Sequence, residues 1–174
     1  MKLRPIPIVL TVVISAALLF GGWFLYRQTT MQGPLQNIAK DYKGVNNAQF
    51  DINHNQINVK LDLKPDTNVS GLVNDITTEG KSVVGNRTLN FEFVDHSSDK
   101  LNHFWDTAMF SVAEAMDHKK YTDIPVKLQE LAKDTGIKVQ TEMDSKNVYI
   151  SLSDGSASKY IVLPRDPGKV GVWE

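Results

Sequence analysis

The chain begins with an apolar stretch in which no position is charged. Ile6 to Tyr26 is a run of 21 residues without Asp, Glu, Lys or Arg. A helix of that length extends about 31 Å, which matches the hydrocarbon thickness of a bilayer. Trp23 and Tyr26 stand at its far end, where aromatic rings favour the membrane interface. The pattern predicts a cytoplasmic tip and transmembrane anchor helix over residues 1–27 and a linker over residues 28–33.

A cleaved signal peptide is the competing interpretation of this stretch. The basic start, with Lys2 and Arg4, suits either interpretation. However, the apolar run is longer than a signal peptide needs, and it ends in GGWFLYRQ rather than at small residues suited to cleavage. We therefore expect an uncleaved anchor. Because basic residues flanking a span stay in the cytoplasm, we also expect a cytoplasmic N-terminus and an extracytoplasmic C-terminal domain.

Beyond the linker, apolar positions alternate between helical and strand spacing. A helical pattern begins at Pro34, and period-two alternation then predicts a hairpin that turns at Asn53–Asn55. A second helical stripe follows, with Asp66 or Thr67 as its N-cap, and a further alternating segment comes after it. Residues 34–95 are thus predicted to form an α-β-β-α-β unit, which we call the first unit.

The strongest helical pattern lies over residues 99–118. A shorter helix is predicted after Asp123, and alternation then predicts three strands separated by turn residues. Residues 96–164 are thus predicted to form an α-α-β-β-β unit, which we call the second unit, and residues 165–174 an extended tail. The three strands are expected over residues 137–143, 147–152 and 159–163.

A repeated segment links the two units. Residues 35–41 read LQNIAKD and residues 128–134 read LQELAKD, and a glycine ends the helical pattern in each case, at Gly44 and at Gly136. Each segment then runs into a predicted hairpin. The sequence therefore predicts an α+β fold built from duplicated α-β-β units with antiparallel sheet. It leaves open whether the units share one sheet or form two small modules.

Composition excludes several classes of function. The chain has no cysteine, so disulfides, thiolate metal sites and cysteine nucleophiles are excluded. Without Lys2 and Arg4, 17 basic residues remain against 20 acidic ones. An acidic exterior domain lacks the positive surface that nucleic-acid binding requires, so no nucleic-acid partner is expected.

Three short motifs suggest catalysis or ion binding, but their contexts argue against it. The triplet Asp134–Gly136 occurs in aspartic proteases after a strand, whereas here it ends a helical pattern. Gly80–Ser82 lacks the preceding glycine of a phosphate loop. Asp51, Asn53 and Asn55 match the start of a calcium loop but lie in a predicted hairpin turn. The sequence therefore predicts no catalytic group, no cofactor and no metal site.

One aromatic residue breaks the amphipathic pattern of the helix over residues 99–118. Phe110 falls opposite the apolar stripe, on a face that it shares with His103 and Asp106. Either it packs beneath a neighbouring element, or it is an exposed anchor for a partner. Trp173 presents the same alternatives. We take Phe110, His103, Asp106 and Trp173 as candidate partner contacts.

The predicted architecture is similar to that of single-pass scaffold proteins in bacterial envelope machines. The main prediction is therefore a non-enzymatic membrane protein, embedded in the bilayer through Ile6 to Tyr26, which assembles with a protein partner or with itself in the bacterial cell envelope. A membrane-anchored sensor with a small-ligand pocket is the alternative. A tethered hydrolase comes third, because no paired nucleophile and base is evident.

Overall fold

The computed structural model describes residues 5–26 and 33–166, and these form an α+β fold with two three-stranded sheets. The predicted class is therefore confirmed at this level. Most of the predicted linker and tail lies outside these residues. The elements in chain order are α1 Pro5–Tyr26, α2 Gly33–Asp41, β1 Val45–Ile52, β2 Gln56–Leu63, α3 Val69–Glu79, α4 Lys81–Val84, β3 Thr88–Phe93, α5 Asp99–Asp117, α6 Asp123–Ala132, β4 Lys138–Met143, β5 Asn147–Asp154 and β6 Ala157–Pro164.

Helix α1 carries apolar side chains that are exposed on every side. Between Val9 and Trp23 only Ala16 is half-buried, and large side chains such as Phe20 expose up to 76% of their surface. Neither buried cluster of the domain includes a described residue of α1. Among the residues that the structure describes, no helix is both long enough and apolar enough to cross a membrane.

The first sheet has the order β1-β2-β3. Strands β1 and β2 form the predicted antiparallel hairpin, in which Phe50 pairs with Val59. Strand β3 instead runs parallel to β2, with Val59 opposite Phe91. The prediction of antiparallel sheet thus holds for the hairpin but not for β3. Because α3 and α4 carry the chain across the sheet between β2 and β3, the chain re-enters the sheet in the same direction.

The second helical stripe predicted for the first unit is divided at Gly80 into α3 and α4. A side chain at Gly80 would collide with the carbonyl oxygen of Ile76 and with Leu35, so α2 packs directly against this backbone. The N-cap of α3 is Asn68, whose side chain accepts a hydrogen bond from the amide of Gly71. The sequence had predicted Asp66 or Thr67 in this role.

The second sheet is antiparallel throughout, in the order β4-β5-β6, and is separate from the first. The structure thus answers the question of whether the units share one sheet. Helices α5 and α6 cover one face of the second sheet and bury an apolar cluster there. Its largest members are Leu101, Phe104, Ile124, Leu128, Ile150 and Leu152.

Strand β5 is buried on both faces, and its side chains pack into the cores of both units. Its even-numbered residues, including Ile150 and Leu152, pack into the cluster under α5 and α6. Tyr149, only 1% exposed, points the other way and belongs to the core of the first unit. On neighbouring β6, the ring of Tyr160 lies 5.6 Å from the ring of Phe93. The second sheet is therefore sandwiched between its own helices and the first unit.

Candidate functional site

The candidate site lies on α5, and local sequence fixes the start and orientation of this helix. The hydroxyl of Ser98 accepts a hydrogen bond from the amide of Leu101 at 3.3 Å, which caps the first turn. The negative charge of Asp99 in that turn interacts favourably with the helix dipole. The apolar stripe from Leu101 to Ala115 is buried against α6 and the second sheet. The opposite face of α5 therefore points to solvent.

Phe110 lies on this outer face with 73% of its surface exposed. Within residues 33–166, therefore, Phe110 does not pack beneath a neighbouring element. His103 and Asp106 are exposed on the same face, and His103 precedes Phe110 by two helical turns, about 10 Å along the axis. The structure brings these three candidate contacts together on one surface. Trp173, the fourth candidate, lies outside the described residues.

An open groove borders this face between α5, α6 and the turn that leads into β4. Its volume is about 310 Å³. Of the three candidate contacts within the described residues, His103 alone lines it. Leu131 on α6 is 38% exposed at the groove wall. The lining residues are Lys100, His103, Phe104, Thr107, Leu131, Thr135 and Ile137.

The polar groups of the groove are largely committed to the protein itself. The ammonium of Lys100 forms an ion pair with Asp154 at 2.8 Å. The hydroxyl of Thr107 donates to the carbonyl of His103 at 3.3 Å. The hydroxyl of Thr135 donates to the carbonyl of Ala132 at 2.7 Å. The groove therefore offers mainly apolar contact through Phe104, Leu131 and Ile137, with the imidazole of His103 at its edge.

The structure also places the motifs that had suggested chemistry. Asp134 and Gly136 follow α6 in a turn with φ angles of 63° and 77°, which is a helix-terminating conformation. Asp51 is the second-last residue of β1, and its carboxylate accepts a 3.4 Å hydrogen bond from Asn53 in the hairpin turn. Among the described residues, no group of three or more potential ligands is placed to hold a metal ion.

Two groups with shifted pKa values, Asp66 and Tyr149, have side chains where the two units meet. The hydroxyl of Ser153 donates to Asp66 at 2.7 Å, and this bond, with a weaker contribution from Lys138, lowers the pKa of the Asp66 carboxyl. Burial raises the pKa of the Tyr149 hydroxyl, which donates to Asp144 at 2.7 Å. These interactions join strands and units rather than line a cavity.

The sequence was sufficient to identify Phe110, because the periodicity of apolar residues along a single helix shows which positions lie on its outer face. It missed the groove because the lining residues come from three elements that are distant in sequence. Comparisons of the chain with models of known protein families, with curated proteins and with solved structures each find no match.

Proposed function

We propose that this protein is a non-enzymatic, single-pass scaffold of the bacterial cell envelope, whose extracytoplasmic domain binds a protein partner through the outer face of α5. The observation that carries the proposal is the 73% exposure of Phe110. A large aromatic ring held on a rigid helix next to an apolar groove resembles the anchor residues that contribute most of the energy at protein interfaces.

The membrane anchor in this proposal is the uncharged run Ile6 to Tyr26 within α1, and the described side chains cover only the middle part of this run. Its described side chains reach from Val9 to Trp23, about 22 Å at 1.5 Å per residue, and the uncharged run from Ile6 to Tyr26 reaches about 31 Å. Apolar side chains exposed around the whole helix would be unfavourable in water and favourable in lipid. Lys2 and Arg4 ahead of the run favour a cytoplasmic N-terminus.

We also infer that the domain arose by duplication of an α-β-β unit. In both copies, a helix leads through a glycine with positive φ, Gly44 or Gly136, into a hairpin. In both sheets, the second strand of that hairpin is the central strand. The copies differ afterwards, because the first adds a crossover helix and the second adds a hairpin strand.

Photocrosslinking in living cells tests the partner site. A photoreactive amino acid at position 110 should capture a discrete protein adduct, whereas the same group at Gln140, exposed on β4, should not. The substitution Phe110→Ser should abolish co-purification of the captured protein without lowering the melting temperature, because an exposed ring contributes little to folding. Capture at neither position, or equal capture at both, would refute the proposed site.

Fractionation tests the anchor separately. The full chain should remain in the membrane pellet after alkaline extraction, and added protease should digest the domain in spheroplasts but not in inverted vesicles. Release of the intact chain by alkali would contradict the anchor, and the reverse pattern of protection would contradict the orientation.

The groove favours one second candidate, a sensor that binds a small amphipathic ligand. Its volume of about 310 Å³ and its mainly apolar wall are of the kind that holds small molecules. A ligand would raise the melting temperature in a concentration-dependent way, and Leu131→Lys would remove that rise. If a protein partner binds only when Phe110 is present, and no small ligand raises the melting temperature, the result favours the scaffold.

A further inference from the structure

The solvent face of the first sheet has an unusual composition for a β-structure. Its central rows consist of polar side chains, although exposed strand positions usually favour Thr, Val, Ile or aromatic residues. Asn and Asp are among the poorest strand formers, so this choice lowers stability without any gain in packing. The two rows that cross all three strands are Gln49, Lys60 and Glu92, and Asp51, Asn58 and Asn90. We call these six residues the amide face.

The side chains of the amide face are ordered by contacts across the strands. The amide of Asn90 donates to Asn58 at 3.1 Å and to Gln56 at 3.4 Å. Lys60 and Glu92 form an ion pair at 3.1 Å. Each primary amide has two donor hydrogens and an acceptor oxygen, more than these bonds use. The face therefore presents an ordered array of donors and acceptors.

A polar cavity lies at one end of the first sheet. It lies beside the tip of the β1–β2 hairpin, has a volume of about 450 Å³, and is lined by His54, Asn55, Asn86 and Arg87. Arg87 is held in place because its guanidinium donates to the carbonyls of Asn53 at 3.0 Å and Val83 at 2.7 Å. Polar groups thus form a concavity at the hairpin end of the first sheet.

We propose that the amide face and this cavity bind a polysaccharide chain. The hydroxyls of a saccharide both donate and accept hydrogen bonds, and they complement side-chain amides that do the same. The ion pair of Lys60 with Glu92 leaves the carboxylate of Asp51 as the net charge of the amide face, and this negative charge suits an uncharged ligand better than a polyanionic nucleic acid. A protein partner would need an apolar centre, and the rows of the amide face contain no apolar side chain.

Co-sedimentation of the full chain, in detergent micelles, with insoluble chitin and with isolated bacterial cell-wall sacculi tests this proposal. We expect the protein to sediment with at least one of these polysaccharides. Binding should persist at about 0.5 M NaCl, because hydrogen bonds to a neutral ligand do not depend on long-range charge. Failure to bind either material, or loss of binding in salt, would overturn the proposal.

The double substitution Asn58→Thr and Asn90→Thr supplies the decisive variant. Threonine is the better strand former, so the variant should melt at or above the temperature of the unaltered protein. Its affinity for the polysaccharide should fall about tenfold, the equivalent of losing one or two hydrogen bonds. Unchanged affinity would overturn the proposal.

Two controls separate this surface from other exposed regions. Gln140→Thr makes the same type of change at an exposed position of β4 and should leave polysaccharide binding intact. Phe110→Ser removes the proposed protein contact and should also leave it intact, so failure of the α5 interface would not affect this result. Loss of binding in either control to the same extent as in the double variant would assign the binding to another surface and overturn the proposal.

Discussion

Asp66 connects the two units through a single carboxylate. It has a positive φ of 61°, a conformation that Asp tolerates better than most residues. This conformation directs the carboxylate towards the second sheet, where it accepts from Ser153 at 2.7 Å and contacts Lys138 at 3.3 Å. The hydrogen bond from Ser153 is the largest cause of the lowered pKa of Asp66.

We predict that Asp66→Asn lowers the free energy of unfolding by about 1 kcal/mol at neutral pH. Asparagine keeps the shape and tolerates the positive φ, but loses the charge. Because the folded protein lowers the pKa of Asp66, its stabilising contribution is present above the pKa of the unfolded chain and is lost as the pH falls through the folded-state pKa. Urea unfolding should therefore show a difference between the two proteins that shrinks in acid.

The matched control is Asp106→Asn, which removes an exposed carboxylate of α5. It should change the free energy of unfolding by less than about 0.5 kcal/mol. A difference between Asp66→Asn and the unaltered protein that stays constant down to acidic pH would contradict the assigned role of the Asp66 charge.

At the scale of elements, the two helix-to-hairpin turns use glycine in different surroundings. Gly44 and Gly136 both have positive φ, at 103° and 77°. A side chain at Gly44 would collide with Thr67, whose hydroxyl donates to the carbonyl of Gly44 at 3.2 Å. The nearest atom to a side chain at Gly136 would be the Nζ of Lys100 at 3.8 Å, an ordinary contact.

Alanine substitutions at these two glycines should therefore have unequal costs. Gly136→Ala should lower the free energy of unfolding by about 1 kcal/mol, the cost of the strained φ alone. Gly44→Ala should lower it by more than about 2 kcal/mol, because Thr67 must also move. Equal losses in chemical denaturation would show that the contact with Thr67 does not restrict this turn.

The helices and strands were largely predictable from the sequence, because each buries one face and the spacing of its apolar residues identifies that face. The direction of β3 was not, since pairing direction depends on the crossover made by α3 and α4. The double-sided burial of β5 had a local signal in the unbroken apolar run Val148, Tyr149 and Ile150. The groove could not be predicted in this way, because the residues of its walls come together only in the folded structure.

At the scale of the whole molecule, side chains of β5 pack into the cores of both units, so the two units should unfold together. Leu61 in β2 and Leu152 in β5 are both fully buried, in different clusters. Because β5 contributes to both clusters, we predict that the amides of these residues exchange hydrogen only through global unfolding, with the same free energy. Native-state hydrogen exchange measures this directly, and a markedly lower value for one of them would show that its unit opens independently.

The placement of Tyr149 also has a consequence for biosynthesis. The core of the first unit contains this ring, yet ribosomes add it about a hundred residues after α2 begins. A nascent chain that has only just completed β3 therefore still has an unfilled gap in that core. Nascent chains released after residue 95 should be protease-sensitive, and resistance should first develop once β5 has emerged from the exit tunnel.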